Sequence, residues 1–134
     1  MGTHTNNNYK PKLQTGIHLI TITKVFYGKT TFSKIPYFKC KFENENGWFY
    51  QKFFLNQKAG SINFIKKLFE AAGVYTDSIN PGDLSGKQLA IHIKSRKLID
   101  FLTGEILGQK EECMYFESVG EYELSLINSS KLAV

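Results

Sequence analysis

Residues 35–55 read IPYFKCKFENENGWFYQKFFL, and the alternation within this stretch decides the fold. Asn46-Gly47 is the strongest hairpin-turn signal in the chain. With residues 44–47 as the loop, Glu43 falls opposite Trp48, Lys41 opposite Tyr50, Lys39 opposite Lys52 and Tyr37 opposite Phe54. Successive strand residues point to opposite faces, so these eight share one surface. Phe38, Cys40, Phe42, Phe49, Phe53 and Leu55 share the other, with Gln51 as the polar intruder. A one-residue slip would exchange the two faces. Solvated strands ordinarily carry Thr, Ser, Glu and Lys, whereas a group of exposed aromatics marks a binding surface. Rings offer π-faces to bases and ammonium groups offer charge to phosphates, the chemistry by which single-stranded nucleic acids are held.

The 134 residues fit one domain large enough to bury a core without metal or disulfide staples. Hydrophobic content of 42% with 22% charged residues is globular rather than disordered. The net charge of +5 is unevenly spread: residues 1–70 hold 11 Lys against 3 acidic groups, and residues 71–134 hold 5 Lys and Arg96 against 9. The positive half is the one that carries the aromatic hairpin, so a polyanion is the partner it favours. Cys40 and Cys113 stand far apart with no metal-ligand spacing, so neither zinc nor a disulfide framework is expected. No signal peptide and no apolar run near about 18 residues is visible, which points to an intracellular protein without membrane contact.

Three segments divide the chain: a mobile, polar arm over residues 1–14, a domain over 15–119 and a tail over 120–134 with no clear preference. Within the domain, residues 17–27 form a long, β-branched and bent first strand, and residues 28–33 a loop. The hairpin supplies strands two and three. Ser61 caps a helix over 62–72, with Ile62, Ile65, Leu68, Phe69 and Ala72 at helical spacing and Gly73 as the stop. Residues 74–86 connect to a fourth strand over 87–97, where Leu89, Ile91 and Ile93 point one way. Residues 98–112 form a hairpin projecting beyond the sheet, and 113–119 the last core strand. Strand, strand, strand, helix, strand, strand is the order of an OB-fold: all-β with one helix, a five-stranded, partly open barrel whose ligand surface lies on strands two and three.

Five segments carry a family resemblance over about residues 15–119. They are GIHLITI, PYFKCKF, ENGWFYQKFFL, INFIKKLFEAAG and DLSGKQLAIHIK, with Gly16, Gly47-Trp48, Ala72-Gly73 and Leu84 to Lys87 as their fixed points. In order and spacing the chain resembles bacteriophage single-stranded DNA-binding proteins of the OB-fold type. That resemblance implies single-stranded DNA binding in phage DNA replication or recombination, without catalysis, in the host-cell cytoplasm. RNA is the second candidate ligand; a homo-oligomer and replication proteins are the candidate protein partners. The chain ends SSKLAV rather than in an acidic tip of the kind that recruits other proteins.

The candidate site joins Tyr37, Trp48, Tyr50 and Phe54 as stacking rings to Lys39, Lys41 and Lys52 as phosphate partners. Lys29, Phe32 and Lys34 belong to the first loop, and Lys94 and Arg96 to the approach to the loop between strands four and five, the other wall of a groove. Sixteen Lys and one Arg suit sequence-tolerant phosphate binding, not bidentate readout of guanine. His4, His18 and His92 are scattered, and Glu111-Glu112 and Glu121/Glu123 lack a matching base or nucleophile, so no catalytic residue, metal or cofactor is expected. A rival reading makes the aromatic face a subunit interface, although Lys is depleted in such interfaces. A nuclease on the same fold would need clustered carboxylates beside Arg, and no such set occurs.

Overall fold

A β-branched run between Gly16 and a bend becomes a strand long enough to serve two neighbours. In the computed structural model, which describes residues 9–132 apart from Gln57 and Thr76, β1 spans Gly16–Lys29. Its first part, Gly16 to Thr21, pairs with β4 (Gln88–Ile99), and Thr21 to Lys29 pairs with β2 (Pro36–Asn44). β3 (Gly47–Phe54) and β5 (Ile106–Glu117) complete an antiparallel sheet in the order β3-β2-β1-β4-β5. β3 and β5 do not pair, so the sheet is open between them. Among the described residues two α-helices accompany it, α1 (Ala59–Ala71) between β3 and β4 and α2 (Val119–Leu132) after β5, with a short 3₁₀ helix at Pro81–Leu84 ahead of β4.

The β2–β3 register is the one the alternation demands. Tyr37 faces Phe54, Lys39 faces Lys52, Lys41 faces Tyr50 and Glu43 faces Trp48. Phe38, Cys40, Phe42, Phe49 and Phe53 are buried on the opposite face and form the core with Ile20, Ile22, Leu89, Ile91 and Ile93. Burial pushes the Cys40 and Cys113 thiols up to about 12, so both stay protonated and behave as small hydrophobes.

Four features depart from the sequence reading. The helix begins at Ala59, not beside Ser61; Lys58 is the cap residue and forms no side-chain cap bond, and the Lys58 N–H donates to Asn56 Oδ1 at 3.2 Å. Its end agrees with expectation: Gly73 (φ +76°) lets Val74 N–H reach Phe69 C=O at 2.9 Å, a Schellman arrangement with Val74 packed on the core. In place of the expected hairpin over residues 98–112, projecting beyond the sheet between strands ending at 97 and starting at 113, β4 runs to Ile99 and β5 starts at Ile106, so only residues 100–105 connect a ladder continuous from Ala90/Glu117 out to Ile99/Ile106. The tail contains α2, started by a capping box: Ser118 Oγ accepts from Glu121 N–H at 3.1 Å while Glu121 Oε1 accepts from Ser118 N–H at 3.2 Å. Residues 1–8 of the expected mobile arm lie outside the described residues, whereas Leu13 is buried in the core.

The open side between β3 and β5 is held without a strand ladder. Phe53 of β3, Phe64 of α1 and Phe116 of β5 form a triangle of rings with centroids 5.0–5.9 Å apart. A bulge at Met114 shifts the β4–β5 register between His92/Tyr115 and Ile93/Cys113, so that Cys113 and Phe116 both reach the core. Gln51, the polar residue on the apolar face of β3, spans the gap: its Oε1 accepts from Cys113 N–H at 3.0 Å and its Nε2 donates to Lys52 C=O at 3.2 Å. The side chain thus substitutes for one missing ladder bond.

Gln51→Leu keeps the volume and leaves the Cys113 N–H without its acceptor, which should destabilise the chain by about 1–3 kcal/mol. Urea unfolding followed by far-UV circular dichroism reads this as a lowered midpoint. An unmoved midpoint would mean that the ring triangle alone holds β5 to β3.

Candidate nucleic-acid interface

Every side chain of the β2–β3 face is placed by one turn. Glu45 and Asn46 are its central residues, and Gly47 is the first residue of β3. Asn44 Oδ1 accepts from the N–H groups of Asn46 (2.8 Å) and Gly47 (3.1 Å), while Asn44 Nδ2 donates to Leu19 C=O at 3.0 Å. One side chain therefore closes the hairpin and ties it to β1, fixing the register by hydrogen bonding. The expected Asn-Gly turn needs positive φ, yet among the described residues only Lys34 combines a side chain with positive φ. Gly47 is required for space instead: a Cβ there would lie 2.3 Å from the Pro11 carbonyl oxygen.

On the outer surface rings and ammonium groups alternate. Lys39 Nζ lies 5.0 Å from the Tyr50 ring centroid and 5.3 Å from that of Phe26; Lys52 Nζ lies 4.7 Å from Tyr37. Lys41 Nζ is 5.8 Å from Tyr50 and 3.4 Å from the Glu43 carboxylate. Trp48 and Tyr50 are 5.4 Å apart, Phe26 and Tyr50 6.2 Å, Tyr37 and Phe54 6.0 Å. Phe26, Tyr50 and Phe54 expose 39%, 38% and 38% of their surface, enough for a flat ligand to reach them; Trp48 and Tyr37 are half-buried. Tyr37 lies across Gly28, where a Cβ would come within 2.6 Å of its hydroxyl oxygen.

Phe26 belongs to this surface although period-two counting from Ile20 and Ile22 points it inward. The register slips between Ile22 and Lys24, so Lys24 and Phe26 turn outward while Val25 packs on the core. A lysine in core phase followed by valine out of phase is the sequence signal for that bulge. Thr23 sits in it and donates to Glu43 at 2.6 Å. That hydroxyl, together with the Lys41 and Lys10 ammonium groups, holds the Glu43 carboxyl below its ordinary range.

The sequence-derived candidates separate into three groups. Tyr37, Lys39, Lys41, Trp48, Tyr50, Lys52 and Phe54 share the outer surface of β2 and β3. Lys29 ends β1, and Phe32 and Lys34 stand in the β1–β2 turn; Phe32 is 95% exposed and none of the three joins the ring and cation–π contacts of the sheet face. Lys94 and Arg96 lie on the distal part of β4. Arg96 is paired with Glu112 at 3.0 Å, Lys110 reaches the same carboxylate at 3.5 Å, and Lys94 is the strand partner of Glu112. Carboxylates there offset the cations, so this wall is electrostatically weaker than the β2–β3 face.

Three parts of the surroundings have no counterpart in the sequence reading. Residues 10–13 run beside β3, Lys12 bridging to Trp48 in parallel. The indole N–H of Trp48 donates to Lys10 C=O at 2.8 Å. His92 pairs with Glu117 and meets the Tyr115 ring edge-on at 4.9 Å. Among the described residues no group of three or more His, Cys, Asp or Glu side chains is arranged to hold a metal ion, and no helix is long and apolar enough to cross a membrane. Compared with known proteins, the chain matches no family model and no curated protein.

Proposed function

We propose that the chain binds single-stranded DNA, with little sequence preference, across the outer face of β1, β2 and β3. The observation that carries this reading is the opposition of Lys39 and Lys52. Like charges placed directly across two strands are destabilising, by up to about 1 kcal/mol. Here each ammonium leans on a ring, a geometry that partly offsets the repulsion and leaves the charge on the surface. An arriving phosphate relieves the repulsion, and the neighbouring rings accept its bases.

Lysine supplies point charge without bidentate geometry, and the single Arg is paired with Glu112, so selectivity for a base sequence has little to draw on. RNA presents the same phosphates and ring faces and is the second ligand of this reading. The element order β-β-β-α-β-β, with β1 shared between β2 and β4 and α1 following β3, supports the finer description of the sheet as an OB-fold. On that description, strands two and three are where such folds hold oligonucleotides. The resemblance to phage single-stranded DNA-binding proteins supports a place in phage DNA replication or recombination, with replication proteins or a second copy of the chain as protein partners.

Three measurements test the proposal. Trp48→Ala should weaken binding of a fluorescent oligo(dT) about tenfold, the equivalent of one lost base stack, and DNA should quench the emission of the sole tryptophan; unchanged affinity and emission would remove Trp48 from the site. Reversing charge at Lys39 and Lys41 together should flatten the dependence of affinity on salt, and an unaltered slope would refute their phosphate contacts. Glu43→Gln removes an anion from the cationic face and frees Lys41, so it should tighten binding at low salt; equal or weaker binding would show that Lys41 does not meet the ligand.

A further inference from the structure

We infer that residues 10–13 are a positioning strap for Trp48: they fix the orientation of the indole and leave only its π-face for a ligand. This rests on the reading of the β1–β3 face as a nucleic-acid surface and identifies what prepares one of its rings. Three hydrogen bonds converge on Trp48 from the strap. Its backbone N–H donates to Pro11 C=O at 3.1 Å, its C=O accepts from Leu13 N–H at 2.7 Å, and its indole N–H donates to Lys10 C=O at 2.8 Å. A fourth, from Lys10 Nζ to Asn44 C=O at 3.2 Å, ties the strap to the hairpin turn. The strap is anchored at its far end by Leu13 in the core, and Lys12 Nζ lies 5.4 Å from the Phe49 ring centroid.

This arrangement has a chemical consequence for recognition. The indole N–H is the only hydrogen-bond donor on the tryptophan side chain, and the strap occupies it. Trp48 therefore meets a base by stacking alone, which every base accepts. The orientation that makes stacking productive is held by backbone groups outside the five strands, on a segment whose sequence, Lys10-Pro11-Lys12-Leu13, carries no aromatic residue. Gly47 completes the device, since only a residue without Cβ lets the Pro11 carbonyl approach.

Gly47→Ala in the full chain tests the inference, because the glycine has no positive φ to satisfy and the added methyl collides with the strap backbone. Leu13→Ala, which loosens the strap at its anchor, is the second variant. With one tryptophan in the chain, emission reports on this residue alone. In the free protein each variant should red-shift the emission and raise quenching by acrylamide, with the far-UV spectrum retained. The double variant should add little to either single one, as expected for two changes acting through one contact. Affinity for oligo(dT) should fall about fivefold, the equivalent of one net hydrogen bond. Unchanged emission in both variants would overturn the inference, as would shifted emission with undiminished affinity. Loss of the sheet spectrum in both would overturn it too, since the segment would then be part of the fold rather than a guide for one ring. Wild-type protein that fails to bind oligo(dT) would instead refute the reading of the face, whatever the emission of the variants shows.

Discussion

The in-register pairing of β2 with β3 is the constraint from which the candidate site follows. It sets which residues enter the core and which face out, and a slip by one would bury Lys39, Lys41 and Lys52 while exposing five apolar side chains. Two independent devices fix it. Phe38, Cys40, Phe42, Phe49 and Phe53 require the core, and Asn44 ties the turn at both its own backbone and β1. Hydrophobic burial and turn geometry thus select the same register, the agreement between local and global preference that gives a sequence one structure.

Outward from that hairpin, irregularities do the shaping. The bulge in β1 adds Phe26 to the ring face and brings Thr23 to Glu43. The bulge in β5 lets Cys113 and Phe116 both turn inward, so the open side can be filled by the Phe53, Phe64 and Phe116 rings. Gln51 supplies the remaining polar bridge. Each bulge exchanges the faces of the residues beyond it, and in β1 this accompanies the change of partner from β4 to β2.

What the sequence made legible is what short-range alternation encodes. The β2–β3 pairing, the inward set Leu89, Ile91 and Ile93, and the glycine stop after α1 all depend on neighbours a few residues apart. Phe26 was hidden because one extra residue inverts the phase of a period-two pattern. The placement of residues 10–13 was hidden because a polar segment with one leucine gives no periodic signal, and its partners lie 38 residues away at Trp48. Gln51 reads as an error in an apolar face until the spacing of β3 and β5 is known, since its acceptor role is 62 residues distant. The Ser118–Glu121 pair has the S-x-x-E spacing of a helix start, but the mixed residues after it carry no apolar run to complete that signature, so the helix stayed hidden.

Tyr37 illustrates how a small residue can shape a surface it never touches a ligand through. The ring lies across Gly28, with the Lys52 ammonium over it and the Phe54 ring meeting it edge-on. An aromatic side chain laid over bare backbone has little rotational freedom left to surrender when something flat settles on it. Its side-chain entropy is given up during folding, ahead of any ligand the face would take under the proposed function. On that proposed reading of the face, the absent methyl group of one glycine moves a share of the cost of association into the folding reaction, where the buried core covers it.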